Sequence, residues 1–250
     1  MKKFMALLLV AGMTLSLTAC GGSTDTAKTD QADGKDTFTV GFDQDFPPFG
    51  YVGDDGESTG FDIEMATECA ARMGKKIVLQ PIDWDAKDME LEAGTIDCIW
   101  NGFTMNGRED QYTWTDPYMD NSQVVVVKKD SGINTLADLA GKVVEVQKES
   151  AAETALNDEE HADLMASFAQ LLSVGEYNTA FMDLESGAVD AVAIDIGVAQ
   201  FQIEGKEDQY QILDETISSE QYAVGFFLGN TALRDEVQST LLEMVEDGTF

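Results

Sequence analysis

Leu91-Glu92-Ala93-Gly94-Thr95-Ile96-Asp97-Cys98-Ile99 returns later in the chain as Leu184-Glu185-Ser186-Gly187-Ala188-Val189-Asp190-Ala191-Val192. Both read as a helix end, a glycine cap and the start of a strand. A second echo sets Gly74-Lys75-Lys76-Ile77-Val78-Leu79-Gln80 beside Gly141-Lys142-Val143-Val144-Glu145-Val146-Gln147. Two readings stay open. Every helix-to-strand junction looks alike, or the chain holds two lobes of like architecture, each with its own parallel sheet.

The residues around these echoes alternate strand and helix. Phe38–Phe42 and Ile77–Leu79 read as strands, and Ile96–Trp100 as a third. Phe61, Met65, Cys69 and Met73, flanked by Ala66 and Ala70, make one apolar helical face that Gly74 would cap. A further helix runs from about Asp85 to Ala93 and ends at Gly94. Strands separated by single helices imply right-handed βαβ units. Gln123–Lys129 is a β-branched run suited to crossing between lobes, and Gln221–Phe227 is a second such segment. Two crossings between two lobes make a hinge with a cleft, and ligands in such sheets bind at strand C-terminal ends and helix N-termini.

The chain has 250 residues, 44% of them hydrophobic, which is enough for a sizeable core. Its formal net charge of -32 repels phosphate, which excludes nucleic-acid binding and a polybasic membrane patch. Three cysteines exclude a disulfide-stapled scaffold, and the single histidine, His161, excludes a His-rich metal site and argues against a His-based triad. His161 itself reads as solvated. Cys69 and Cys98 read as two free buried thiols, although the compartment permits a disulfide.

That compartment follows from the first residues. Met1-Lys2-Lys3 precedes an apolar run from Phe4 to Leu17, the pattern of a secretory signal peptide and too short to span a bilayer. Leu17-Thr18-Ala19-Cys20-Gly21 is similar to a bacterial lipobox, with cleavage before Cys20 and a lipid on its thiol. Residues 21–36 hold no large apolar side chain and read as a flexible tether. Cleavage removes two lysines and no acid, so the mature chain is more acidic still. The expected setting is extracytoplasmic, lipid-anchored to the cell membrane.

The candidate chemistry follows the third strand, in Trp100-Asn101-Gly102-Phe103-Thr104-Met105-Asn106-Gly107-Arg108. One arginine in a loop at a strand's C-terminal end suits a bidentate grip on a carboxylate, or it pairs with a surface acid such as Glu109 or Asp110. Several stretches now resemble the polar amino-acid family of extracellular solute-binding proteins that serve ABC importers. They are GFDQDFPPFGYV, GESTGFDIEMA, Ile82–Asp85, IDCIWNGFTMNGRE, TDPYMDNSQVVVVKKDS, LADLAGKVVEVQ, LESGAVDAVAID and the final DGTF, in family order over residues 38–250.

The resemblance implies an α/β, two-lobed type-2 periplasmic-binding-protein fold. Each lobe is expected to be a mainly parallel sheet flanked by helices, with two crossing strands between them. Residues 1–19 are then the signal peptide and 20–36 the lipidated Cys20 and tether. Residues 37–121 with 222–250 form lobe 1, and 122–221 form lobe 2. By the same resemblance Arg108 clamps the ligand α-carboxylate, supported by the Thr104 N–H and hydroxyl. The Gly102 carbonyl and Asp195 take the α-ammonium. Phe46 and Trp84 sandwich the side chain, and Asp43, Asn101 and Gln147 give its pocket a polar, acidic lining. Ser150 and Ala151 open a lobe-2 helix whose amides face the carboxylate. From the residues alone, Phe46 and Trp84 read equally as core, and Asp195 as a helix N-cap.

This sequence departs from the family in three places. The loop from Thr104 to Arg108 is one residue shorter. The family's glycine before the lobe-2 helix is Glu149, which either favours a cationic ligand side chain or points to solvent. Ala151 stands where the family has Ser or Thr. The chain also stops at Phe250, after a helix from about Ala232 to Asp247, where relatives continue for another helix; it reads as a shortened form or a fragment. The implied function is the substrate-binding component of an amino-acid ABC importer, with a permease and its ATPase subunits as partners. It would act as a monomer, without cofactor, metal or catalysis. The alternative is a cyclohexadienyl or arogenate-type dehydratase on the same fold, whose general acid would fall to Asp43 or Glu149. A purely adhesive surface protein is a third class, one that no small ligand would stabilise.

Overall fold

The computed structural model describes residues 35–250; the expected signal peptide, Cys20 and the expected tether up to residue 34 lie outside the described residues. In chain order the first lobe contributes β1 (Thr37–Phe42), β2 (Asp45–Phe46), β3 (Gly50–Val52), β4 (Ser58–Thr59), α1 (Phe61–Arg72), β5 (Lys76–Pro81), α2 (Lys87–Ala93), β6 (Cys98–Ile99) and β7 (Thr113–Trp114). The strand β8 (Met119–Lys128) crosses to the second lobe. There follow β9 (Val143–Gln147), α3 (Ala151–Leu156), α4 (Ala162–Ser167), β10 (Gln170–Val174), α5 (Tyr177–Ser186), β11 (Ala191–Asp195), α6 (Ile196–Ile203) and β12 (Tyr210–Ile212). The chain returns through β13 (Ser218–Tyr222) to β14 (Gly225–Phe226) and α7 (Thr231–Asp247).

One sheet runs β5-β1-β6-β14-β7 and the other β10-β9-β11-β8-β12, with β13 also on β8. Each is mainly parallel with one reversed strand. In the first sheet β14 alone runs against the rest, and in the second β8 alone does. The expected second crossing strand, Gln221–Phe227, is broken at Ala223-Val224. Up to Tyr222 it must pair β8 in one sheet, and from Gly225 it must pair β6 and β7 in the other. The strand expected at Ile96–Trp100 is regular only at Cys98–Ile99, although Asp97 and Trp100 still donate to Thr39 and Gly41 of β1.

The first echo is a true structural repeat. Gly94 and Gly187 both cap their helices in the left-handed region, at φ 71° and 81°. Asp97 accepts from the Thr39 N–H of β1, and Asp190 accepts from the Val143 N–H of β9, two strands at equivalent sheet positions. The second echo is only a likeness of junctions: β5 is an edge strand, whereas β9 sits between two neighbours, and the counterpart of β9 by position is β1.

The core follows the sequence pattern. Helix α1 buries Met65, Ala66, Cys69 and Ala70 against Phe38, Val40 and Trp100. Val124–Val127 of β8 are buried on both faces, one set under α5 and α6 and the other under α3. Cys69 and Cys98 are free and buried, and burial pushes the Cys69 thiol up to about 12. Among the described residues no helix is long and apolar enough to cross a membrane.

Candidate functional site

The loops at the C-terminal ends of β1, β6, β9 and β11 converge between the lobes. A small cavity there is lined from lobe 1 by Phe46, Trp84, Gly102, Thr104 and Arg108. From lobe 2 it is lined by Gln147, Ser150, Ala151 and Asp195. All of these were expected from the sequence; Asp43 and Asn101 were too, but the structure does not place them in this lining.

Arg108 is buried, and its position comes from the short loop. Gly107 turns at φ 77°, the Arg108 N–H donates to the Met105 carbonyl, and the guanidinium folds back so that Nη1 donates to Thr104 O at 3.1 Å. Nη2 reaches across the cleft to the Glu149 carbonyl at 3.3 Å, and the group lies over the Phe103 ring. Among the described residues no carboxylate lies within ion-pair distance of Arg108. A buried cation held only by carbonyls and a ring is a ready anion site.

Glu149 is the one non-glycine in the left-handed region among the described residues, at φ 59°. Its exposed side chain takes the solvent option, and its backbone does the work, through the carbonyl to Arg108 and the N–H to Glu153. Ser150 caps α3 through its hydroxyl, accepting from the Glu153 N–H.

Asp195 ends β11 on the opposite wall and is buried. Its Oδ1 accepts from Asn121 Nδ2 at 2.8 Å, Gln123 Nε2 at 2.7 Å and the Tyr222 hydroxyl at 2.6 Å. Burial, and then the nearby Glu220, push its carboxyl up. The cavity thus has a buried cation on one side and a buried carboxylate on the other.

Asp62, fully buried at the start of α1, accepts from the Gly102 N–H at 2.5 Å and from the Tyr118 hydroxyl at 2.9 Å. Gly102 needs its φ of 56°, and a Cβ there would press on the Phe46 ring at 2.7 Å. Gly102→Ala should therefore weaken ligand affinity by about tenfold or more, readable by calorimetry, because both strain and the displaced ring act on the cavity.

The lobes also touch across the cleft outside Arg108 and Glu149. Gln147 donates to Asp43, Asn178 to Asp45 and Lys148 to Asp85, while Phe46 and Phe49 lie in the lobe-2 core beside Tyr177 and Tyr222.

The chain matches the model of the bacterial extracellular solute-binding proteins, family 3, over residues 38–250. It belongs to that family. The L-cystine-binding protein TcyJ of Escherichia coli K12 is 30% identical, over 98% of this chain and 90% of its own. The arginine-binding extracellular protein ArtP of Bacillus subtilis 168 is 29% identical, over 99% of this chain and 94% of its own. A substrate-binding protein of an ABC uptake transporter from Streptococcus pneumoniae, solved with bound histidine, superposes with a TM-score of 0.82. It has 32% sequence identity, covering 86% of this chain and 89% of that one.

Two expected positions lie outside this lining. Asp43 is buried, its carboxylate accepts from the Asp45 N–H and from Gln147, and it lines the neighbouring cleft beside Trp84. Asn101 is buried with its amide against Gly50, where a Cβ would collide with Oδ1. Thr104 donates its hydroxyl to Glu220 at 2.8 Å, so that hydrogen is committed elsewhere. Asp62, Asn121, Gln123, Glu220 and Tyr222 were missed. Their signal was strand alternation, which places Asn121 with Gln123 and Glu220 with Tyr222 on common faces.

Burial pushes the Asp43 carboxyl up to about 6 and the Asp62 carboxyl up to about 7. Each holds a proton in the folded state where the unfolded chain has lost it. Each therefore contributes stability at low pH that is lost as pH rises from about 4 toward 6 and 7. The ligand-free protein should melt at least about 5 °C higher at pH 5 than at pH 8 in a calorimetric scan.

Proposed function

We propose that this chain is the extracytoplasmic substrate-binding component of an amino-acid ABC importer. It would bind an amino acid between its lobes and deliver it to a membrane permease by hinge closure. The observation that carries this is the pairing of buried Arg108 with buried Asp195 across one cavity. Arg108 takes the α-carboxylate with the Thr104 N–H, and Asp195 takes the α-ammonium with the Gly102 carbonyl. Phe46 and Trp84 hold the side chain. The lobe boundaries are drawn at 121/122 and 221/222, where β8 and β13 pair side by side as the two crossings.

The side chain favoured is cationic. The cleft beside Trp84 and Asp43 is lined by Asp45, Asp83, Asp85, Glu90 and Glu176, all carboxylates. The relatives that bind arginine and histidine support that choice, and TcyJ keeps cystine in the panel. A dehydratase is disfavoured, because its nominated acids, Asp43 and Glu149, do not line the cavity between Arg108 and Asp195. Cys20 is the proposed lipid attachment point, holding the monomer at the outer face of the cytoplasmic membrane or in the periplasm. Cys20→Ala should release the protein from the membrane fraction.

The test is a thermal-shift screen of residues 21–250, stripped by unfolding and refolding, against all L-amino acids and cystine. A ligand at about 1,000 times its Kd stabilises by about 4 kcal/mol. For this size that is about 8–16 °C. No shift with any of them, from a cooperatively folded sample, would reject the reading.

A further inference from the structure

Glu220 lies behind the ammonium wall of the cavity and is buried. Its Oε1 accepts from Thr104 Oγ1 at 2.8 Å, Asn121 Nδ2 at 2.7 Å and Gln123 Nε2 at 2.7 Å. The same two amides donate to Asp195 Oδ1. Two carboxylates are thus bridged by shared donors, with β8 between them. Every bridging group is neutral. Among the described residues no lysine, arginine or histidine pairs with either acid. Two buried like charges this close, without a cation, do not both ionise at little cost.

We infer that Asp195, crowded by the buried Glu220 carboxyl, holds a proton in the ligand-free protein, and that the α-ammonium of a bound amino acid displaces it to solvent. This rests on the proposed amino-acid site. Glu220 is a positioning residue: it acts through Asp195 and through Thr104, which it ties to the hinge. The other groups facing the pair are accounted for. Tyr222 of β13 donates to Asp195, and Tyr177 of α5 faces both acids. Tyr118, facing Tyr222, donates to Asp62, and Arg108 stands across the cavity. The tyrosines here are pushed upward by burial and stay neutral, so they cannot supply the missing positive charge. Burial and then Glu220 raise the Asp195 carboxyl, in keeping with a held proton.

The experiment has two arms on the full folded protein. Carboxyl carbon shifts of Asp195 and Glu220 are followed by NMR in the ligand-free state from about pH 4 to about pH 9. Titration calorimetry with L-arginine is run near pH 7 in buffers of different ionisation enthalpy. The expected result is an Asp195 carboxyl that keeps its proton well above the ordinary carboxylate range, and roughly one proton released per arginine. In Glu220→Gln, which keeps an acceptor for the two amides, release should fall well below one. The acid limb of the affinity profile should move about one pH unit lower. Asp195 ionised near pH 7 without ligand, or unchanged release in Glu220→Gln, overturns the inference. An Asp195 that keeps its proton while L-arginine fails to bind supports the held proton and rejects arginine as the ligand.

Discussion

Arg108→Ala should remove amino-acid binding while leaving a folded protein. The guanidinium is buried, and its hydrogen bonds go to the carbonyls of Thr104 and Glu149. Its unspent donors face the cavity that Asp195 closes from the other side. Removing one partner of a buried ion pair costs about 3–5 kcal/mol. At 1.4 kcal/mol per tenfold, that is roughly a hundredfold to several thousandfold in Kd. Arg108→Lys should recover only part of this, because an ammonium cannot span a carboxylate with a planar fork. Circular dichroism should show a cooperative transition in both variants, with modest loss of Tm from the missing Phe103 contact. Calorimetry with the amino acid chosen by the thermal screen decides the matter. Retention of wild-type affinity in Arg108→Ala would move the carboxylate site elsewhere in the cleft.

Much of this site was legible because loop chemistry is local. Gly102, Thr104 and Arg108 follow a strand end within seven consecutive residues, so one motif places three cavity-lining groups. Asp195 was legible in the same way, as the acid at the end of a buried strand. The polar network behind it was not. Asn121 and Gln123 precede a valine run, and Ser218-Ser219-Glu220 is polar throughout. Their burial is created only when β13 pairs β8 and sets Glu220 opposite Asn121. That pairing joins segments roughly a hundred residues apart, and no local period announces it. Asp43 lines the cleft beside Trp84 rather than the cavity itself, a distinction that depends on its contact with Gln147 of the other lobe, which no local pattern shows. The two lobes were legible from the glycine-capped repeat, because a cap and a strand-start aspartate do the same work in each. The single reversed strand in each sheet was not, since its direction depends on which lobe the segment has just left.

Gly60→Ala should be the most damaging small substitution in lobe 1. Gly60 precedes α1 at φ 124° and ψ 167°, a conformation open essentially to glycine alone. An added Cβ would sit 2.4 Å from the Phe49 carbonyl oxygen and 2.8 Å from that of Pro48. Those carbonyls cannot step aside cheaply, because they accept the first two amides of α1, from Asp62 and Phe61. Strain and overlap together cost about 4 kcal/mol or more. That corresponds to about 8–16 °C in Tm for a chain of this length. The effect should reach the ligand as well, since the same turn carries Asp62, which fixes Gly102, and Phe49, which stands against Tyr222. Gly56→Ala is the control from the same segment: φ is 83°, but nothing lies within 4 Å of the added carbon, so about 1 kcal/mol is expected. Thermal unfolding of both variants, followed by calorimetry with the selected amino acid, separates backbone strain from collision. Equal small losses would mean that the Pro48 and Phe49 carbonyls yield, and that Asp62 holds Gly102 without a rigid turn behind it.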